Sequence, residues 1–271
     1  MTQNREPMGN CTGNCAYCET RGTPRRDGTM PMCVRVESET VLRMSGTAGL
    51  ETIGPERGLD PYDQGEGRCP ETRQRLEKLL QDGRPARVIT RSARIVEDLP
   101  LLSEIARRAS ATVLIGVATV DAELARVWEP QLLAPDRRLA LMRRIREAGV
   151  SAGLMAAPLV PFLMDDHPQL RSLLWAAQQS GAQYYCVDPT AWGEELALDR
   201  LMPIFAERWP QLLEPLQRLY GGEKSPPRAY TDKIAGQIER LAPGARLSDR
   251  NPAAWSPGAL LANAFASHYQ R

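Results

Sequence analysis

Through its middle the chain alternates compact apolar runs with longer stretches in which apolar residues return every three or four positions. Residues 87–90, 112–117, 153–157 and 184–187 are short and predominantly apolar, and read as strands. Between them, residues 99–108 set Leu101, Leu102 and Ile105 on one face of a helix. Residues 136–148 do the same with Leu139, Met142 and Ile145, ahead of Gly149 as the left-handed cap. Residues 168–179 carry Leu170, Leu173, Leu174 and Ala177, and Gly181 ends that helix. Further upstream, residues 70–80 align Leu76, Leu79 and Leu80 before Gly83, which predicts another helix. Residues 32–37 and 40–44 alternate with period two and read as short extended segments. The Gly- and Pro-rich stretch 46–67 between them and the first helix is long enough to predict a functional loop. Beyond the last strand, residues 196–219 predict one or two helices broken at Pro203 and Pro210. Residues 221–227 read as a linker, 229–242 as a helix and 257–269 as a final apolar helix.

The strands are apolar without alternation and stand between amphipathic helices, which points to a parallel sheet covered by helices. Three or more such units, with no GxGxxG after the first, favour a barrel-like sheet over a dinucleotide-binding fold. Ligand chemistry is then expected at the C-terminal ends of the strands. A chain of 271 residues suits a single domain of this type. Its 34 Lys plus Arg nearly cancel its 33 Asp plus Glu, so a strongly electropositive nucleic-acid binder is not indicated. Residues 1–9 are polar and have no apolar core, so no secretory signal is expected. No run of about 18 apolar residues exists, so no membrane span is expected. Six cysteines in so long a chain do not suggest a secreted disulfide framework, and a reducing cytoplasm is the expected compartment.

Three of those cysteines stand together in Cys11-Thr-Gly-Asn-Cys15-Ala-Tyr-Cys18. Thiolates are soft ligands that suit iron–sulfur clusters or zinc. Three is one short of the usual set for a 4Fe–4S cluster, which would leave one iron free to bind something else. Tyr17 adds an aromatic face beside the triad. The alternative is a zinc knuckle that borrows a fourth ligand, or three unrelated thiols. The two histidines, His167 and His268, lie far along the chain and neither belongs to a Cys/His pair.

CxxxCxxC with an aromatic residue before the last Cys resembles the radical S-adenosylmethionine (SAM) superfamily. Later segments resemble its spore-photoproduct-lyase-like branch. Leu59-Asp-Pro-Tyr-Asp-Gln64 with Thr72-Arg73 resembles the branch's TDPYQP…TR segment, and Ile89-Thr-Arg-Ser92 its TRS strand end. Val117-Ala-Thr-Val-Asp121 with Glu129-Pro130 and Arg138-Leu139 resembles its SITTLD…EP…RL run, and Ala157-Pro158-Leu159 with Asp165 its AP strand and loop. The resemblance spans about residues 9–210. It departs at residues 2–8, which make a poor first strand, and at Gly116, where the branch often has a small polar residue.

The resemblance implies an α/β fold: a partial (βα) TIM-like barrel of about six parallel strands with a helical C-terminal extension. Residues 1–190 would form the barrel and 191–271 the extension packed on it, within one domain. It implies a 4Fe–4S cluster on Cys11, Cys15 and Cys18, with SAM on the free iron. Electron transfer into SAM would release a 5′-deoxyadenosyl radical that takes hydrogen from the substrate, the net reaction being that of a lyase or oxidoreductase. Tyr17, Asp60, Arg91, Thr119 and Pro158 would line the SAM site. Arg91 suits the SAM carboxylate by its bidentate fork, or else a structural ion pair. Thr119 suits the ribose, or else caps the following turn. Glu129 and Arg138 read equally as a structural pair or as catalytic groups. A flavodoxin or ferredoxin would supply the electron. Cys69, Tyr62 and Cys186 are candidate hydrogen donors, although each suits ordinary packing.

The substrate expected is a small molecule, as in natural-product biosynthesis. The alternatives are a DNA photoproduct repair lyase and a non-catalytic iron–sulfur or zinc protein. A repair lyase needs a cysteine near the loop before Asp60, and residues 56–59 contain none. The chain's local basic cluster, Arg21, Arg25 and Arg26, reads as a solvated loop face or as contacts to a compact anion. DNA affinity depends on neutralising many phosphates with Lys and Arg. No duplex-DNA binding is therefore expected at physiological salt by fluorescence anisotropy; a salt-sensitive complex with UV-damaged duplex would restore the repair reading.

Overall fold

The computed structural model describes residues 15–17, 50–54, 60–62, 70–187, 195–222 and 226–242. The extended segments expected at 32–37 and 40–44 and the helix expected at 257–269 lie outside these residues. Among the described residues five strands form one parallel sheet: β1 (Glu51–Ile53), β2 (Ala86–Thr90), β3 (Ala111–Gly116), β4 (Ser151–Ala156) and β5 (Tyr184–Val187). The first, β1, falls inside the stretch read from sequence as loop. Glu51-Thr-Ile is too short to show a period, but Glu51, Thr52 and Ile53 pair in register with Ala86, Arg87 and Val88 of β2. The partner strand, not the local sequence, makes it a strand.

The strands are joined by α1 (Pro70–Gln81), a 3₁₀ segment (Ala93–Asp98) with α2 (Leu99–Arg108), α3 (Ala122–Trp128) with α4 (Pro135–Glu147), and α5 (His167–Gln179). The strand order follows the chain, β1-β2-β3-β4-β5. Successive parallel neighbours with a helix in every crossover are the arrangement of a partial (βα) barrel; a doubly wound sheet would reverse its order.

Side-chain parity supports the same architecture. Val88, Val113, Ile115, Leu154 and Tyr185 belong to one continuous core with the apolar faces of the helices, among them Leu102 of α2 and Ile145 of α4. The opposite parity gives a separate buried cluster, Ile89, Leu114, Met155, Ala157 and Cys186. Both faces of the central strands are covered, which is why their sequences are apolar throughout. Space on the second face is tight. A Cβ on Gly153 would stand 2.6 Å from Leu114 Cδ2 and 3.0 Å from the Tyr184 carbonyl oxygen. Glycine is required there by close approach.

Past β5 come α6 (Glu195–Arg208), a short 3₁₀ turn (Pro210–Leu212), α7 (Leu213–Tyr220) and α8 (Arg228–Leu241). The break expected at Pro203 does not occur, because Pro203 lies inside α6. Leu201 and Phe205, on either side of it, are fully buried, and that packing outweighs the lost backbone bond. Pro210 does end the helix, as expected. Phe205 and Trp209 pack on Trp128 at the end of α3, with ring centroids 5.7 and 6.0 Å away. Through Trp128 the C-terminal helices are joined to the barrel. No described helix is long and apolar enough to cross a membrane.

Gly153→Ala is expected to lower stability by about 1–3 kcal/mol, the usual cost of overpacking, with the shift read from urea unfolding midpoints.

Candidate functional site

The loops that leave the C-terminal ends of the strands bring several of the singled-out residues together. The cysteine segment is tied to the end of α3 at two successive residues. The Ala16 N–H donates to the Trp128 carbonyl at 2.8 Å, and the Tyr17 hydroxyl donates to Glu129 Oε1. Cys15 is buried in this arrangement. Cys11, Cys18, Cys33 and Cys69, with Arg21, Arg25 and Arg26, lie outside the described residues.

Glu129 is buried at the C-cap of α3 and meets two arginines. Its Oε2 pairs with Arg138 Nη2, and Arg138 Nη1 donates to the Gly116 carbonyl at the end of β3, at 2.7 Å. Its Oε1 stands 3.6 Å from Arg91 Nε. Glu129 and Arg138 are therefore an ion pair, and one that also holds Tyr17 and Arg91.

Arg91 follows β2. Its guanidinium lies over the Tyr17 ring, 5.5 Å from the centroid, within the range of a cation–π contact. Its Nη2 donates to the Ala157 carbonyl at 3.2 Å, next to Pro158. A Cβ on Gly116 would come within 2.7 Å of Arg91 Cγ, so the glycine makes room for this arginine to cross the end of β3. Burial would lower the Arg91 pKa, but Tyr17, Glu129, Cys15 and Asp60 around it more than offset that and raise it. Burial likewise pushes the Tyr17 phenol well above its ordinary range, with Arg91 opposing. Both shifts keep the guanidinium charged and the phenol neutral at neutral pH.

Asp60 closes the same edge from the β1 side. Its Oδ1 accepts the Tyr62 N–H at 3.0 Å and the Thr90 hydroxyl at 2.5 Å, and its Oδ2 accepts the Arg91 N–H at 2.6 Å. Burial raises its pKa against these three bonds, which favour the charged form. Both oxygens are occupied, so Asp60 acts on the site by fixing the backbone of Arg91.

The other candidates are not drawn into this group. Thr119 Oγ1 accepts the Asp121 N–H at 3.0 Å, a local turn contact; Asp121 in turn caps α3 by accepting from Glu123 and Leu124. Tyr62 belongs to the helix-side core and donates its hydroxyl to Asp98 at 3.1 Å. Asp98 is also held by Arg73 at 2.6 Å. Cys186 is fully buried on the opposite face of the sheet from the helices. Burial lowers the pKa of the nearby Arg87 guanidinium to about 10, with Cys186 opposing that shift. The roles of Glu129 and Trp128 as the dock for the cysteine segment have no signature in sequence, because Tyr17 and Glu129 are 112 residues apart.

Asp165, in the loop after β4, is a further buried carboxyl on this edge. It accepts the Phe162 N–H at 2.8 Å and the Tyr230 hydroxyl of α8. Burial raises its pKa to about 6.

Among the described residues no three His, Cys, Asp or Glu side chains gather as a metal site. The fit of a cluster rests on Cys15, which is buried beside a cationic guanidinium at the C-terminal edge, and on the donor chemistry of the three-thiol motif. Both are compatible with an anionic thiolate-bound cluster.

No protein-family model matches the chain. The chain is similar to the uncharacterized proteins Rv2578c of Mycobacterium tuberculosis (strain ATCC 25618 / H37Rv) and Mb2609c of Mycobacterium bovis (strain ATCC BAA-935 / AF2122/97). Each is 29% identical over 257 residues, covering 90% of this chain and 74% of the relative. A stretch of 92 residues is 34% identical to protein ORF301 of Acidianus two-tailed virus, covering 34% of this chain and 30% of that one. Among solved structures, Streptococcus suis SuiB bound to S-adenosylmethionine matches with a TM-score of 0.44 and 16% identity over 76% of this chain and 43% of SuiB. SuiB bound to its precursor peptide SuiA matches with a TM-score of 0.45 and 14% identity over 74% and 45%. The chain thus spans less than half the length of those chains, and a likeness of this strength assigns no residue of the site.

Asp165 gives a test in pH. Its folded pKa of about 6 is above the ordinary carboxyl value, so the folded state holds the proton more tightly than the unfolded chain. This group's effect on stability is full below pH ~4 and is lost as pH rises to about 6, by up to about 3 kcal/mol. Asp165→Asn should flatten that part of the stability–pH curve in denaturant titrations; an unchanged slope would contradict the assignment.

Proposed function

We propose that the protein is a radical SAM enzyme of the spore-photoproduct-lyase-like branch, acting on a small molecule. One observation carries the reading: the middle of the CxxxCxxC segment is docked at the C-terminal edge of a parallel (βα) sheet, against Glu129 and beside Arg91. That edge is where barrels of this kind carry their chemistry.

In this reading Cys11, Cys15 and Cys18 would hold a 4Fe–4S cluster, with SAM bound beside it. A bound cluster would supply one electron to SAM and so generate the 5′-deoxyadenosyl radical that takes hydrogen from the substrate. The protein's own residues bind, orient and exclude water. Arg91 donates Nη2 to the Ala157 carbonyl, and its Nε faces Glu129 at 3.6 Å without a hydrogen bond. Its Nη1 has no partner among the described residues, and that end of the guanidinium is the one assigned to the SAM carboxylate. Asp60 fixes the Arg91 backbone, and Tyr17 provides the apolar face under the guanidinium. Pro158 shapes the adenine side, and Thr119 contributes by ordering the turn after β3. Of Cys69, Tyr62 and Cys186 as hydrogen donors, Cys186 is supported by its place on the face of the sheet away from the helices; Tyr62 is committed to Asp98. A flavodoxin or ferredoxin would deliver the electron at the cysteine loop. The near-zero net charge supports a compact substrate over nucleic acid.

Anaerobic reconstitution is expected to load about four iron and four sulfide per chain. Replacing Cys11, Cys15 or Cys18 by Ala should abolish loading, and replacing Cys33 should not. Reduced, loaded protein should release 5′-deoxyadenosine from SAM. Stoichiometric zinc without iron would falsify the reading.

A further inference from the structure

The buried ion pair between Glu129 and Arg138 does more than join α3 to α4. Arg138 is fixed twice, by Glu129 and by the Gly116 carbonyl at 2.7 Å. It is buried and so is Glu129, and a carboxylate taken from water must be matched by nearby donors. The Tyr17 hydroxyl donates to it, and the Arg91 guanidinium adds its charge with Nε 3.6 Å away, beyond hydrogen-bond distance. Tyr17 belongs to the cysteine segment, and the residue before it is tied by its backbone to Trp128, the neighbour of Glu129. Trp128 in turn packs against Phe205 and Trp209, which also touch each other. The cysteine segment therefore rests on a dock built entirely from the barrel and its C-terminal helices.

We propose that Glu129 is a positioning residue: its carboxylate, fixed by Arg138, holds the cysteine segment in place through Tyr17 before any cofactor is bound. The placement of the segment around Cys15, one of the three motif thiols, is then set by the protein. The inference deepens the proposed function in taking those thiols as the ligand set, but the docking itself is a property of the metal-free chain.

The test uses full-length, metal-free, reduced protein and follows alkylation of individual cysteines by mass spectrometry. Cys15 reports on the segment. Cys186, fully buried on β5, reports on opening of the whole sheet. Tyr17→Phe removes only the loop's hydroxyl and leaves the Glu129–Arg138 pair intact. It should speed labelling of Cys15 by about tenfold or more, as expected for loss of a charge-assisted hydrogen bond, with Cys186 unchanged. Glu129→Gln, which also weakens the pair with Arg138, should speed Cys15 labelling as well. If Tyr17→Phe leaves Cys15 as slow as in the wild type, or if Cys15 and Cys186 accelerate together, the proposal is overturned. Because no metal is present, the result is independent of whether the cysteines hold iron. Failure of iron loading would remove the radical SAM reading and leave the docking result standing.

Discussion

The site depends on one buried carboxylate. Glu129 would be costly to hold alone away from water, and the cost is met by bringing cations and a phenol to it. Arg138 comes from α4, Arg91 from the end of β2 and Tyr17 from the cysteine segment. Each of these is recruited from a different part of the chain, so satisfying one charge fixes three segments relative to each other. Removing Glu129 would leave two guanidinium groups facing each other's field in a partly dry edge. Removing Arg138 would leave the carboxylate without its closest countercharge. The arrangement favours all-or-none order at the C-terminal edge.

A second carboxylate repeats the principle on a smaller scale. Asp60 has no arginine side chain bonded to it. Its three hydrogen bonds come from two backbone N–H groups and one hydroxyl. They close the β1 loop onto the end of β2 and set the direction from which the Arg91 side chain starts. Gly116 then leaves the space through which that side chain passes. The position of a single guanidinium thus follows from a carboxylate behind it, a glycine beside it and a carboxylate ahead of it. This is how a flexible side chain becomes a fixed charge without being fully buried.

The barrel supplies the direction. The five described strands are parallel and in chain order, so the loops that follow them emerge on the same edge. Arg91, Thr119 and Pro158 come to that edge because each follows a strand within three residues, and Asp60 is held there by its bonds to Thr90 and Arg91. What distinguishes them is orientation. Arg91 turns toward Glu129 and Ala157, Thr119 turns back into its own turn, and Tyr62 turns to the helix side and to Asp98. Placement on the edge is a consequence of topology; participation is a consequence of packing.

The sequence alone determined the parts that rest on local periodicity. The four longer strands, the helices α1, α2, α4 and α5 and the parallel order were readable because both strand faces are buried and the helix faces repeat at 3.6 residues, whereas the seven-residue α3 is too short to show that repeat. Glycine caps such as Gly149, at φ 76°, were readable because a left-handed residue favours glycine. The pairing of Glu129 with Arg138 stood open as one of two readings. The tertiary structure decided what depends on distant partners. The three-residue β1 exists because β2 offers it a ladder, and α6 runs through Pro203 because Leu201 and Phe205 are buried beside it. Tyr17 meets Glu129 across 112 residues, a separation at which no pattern in the chain can announce a contact. A hydrogen bond to a buried charge is chosen by whatever the fold brings within reach, and that choice is made only after the sheet has formed.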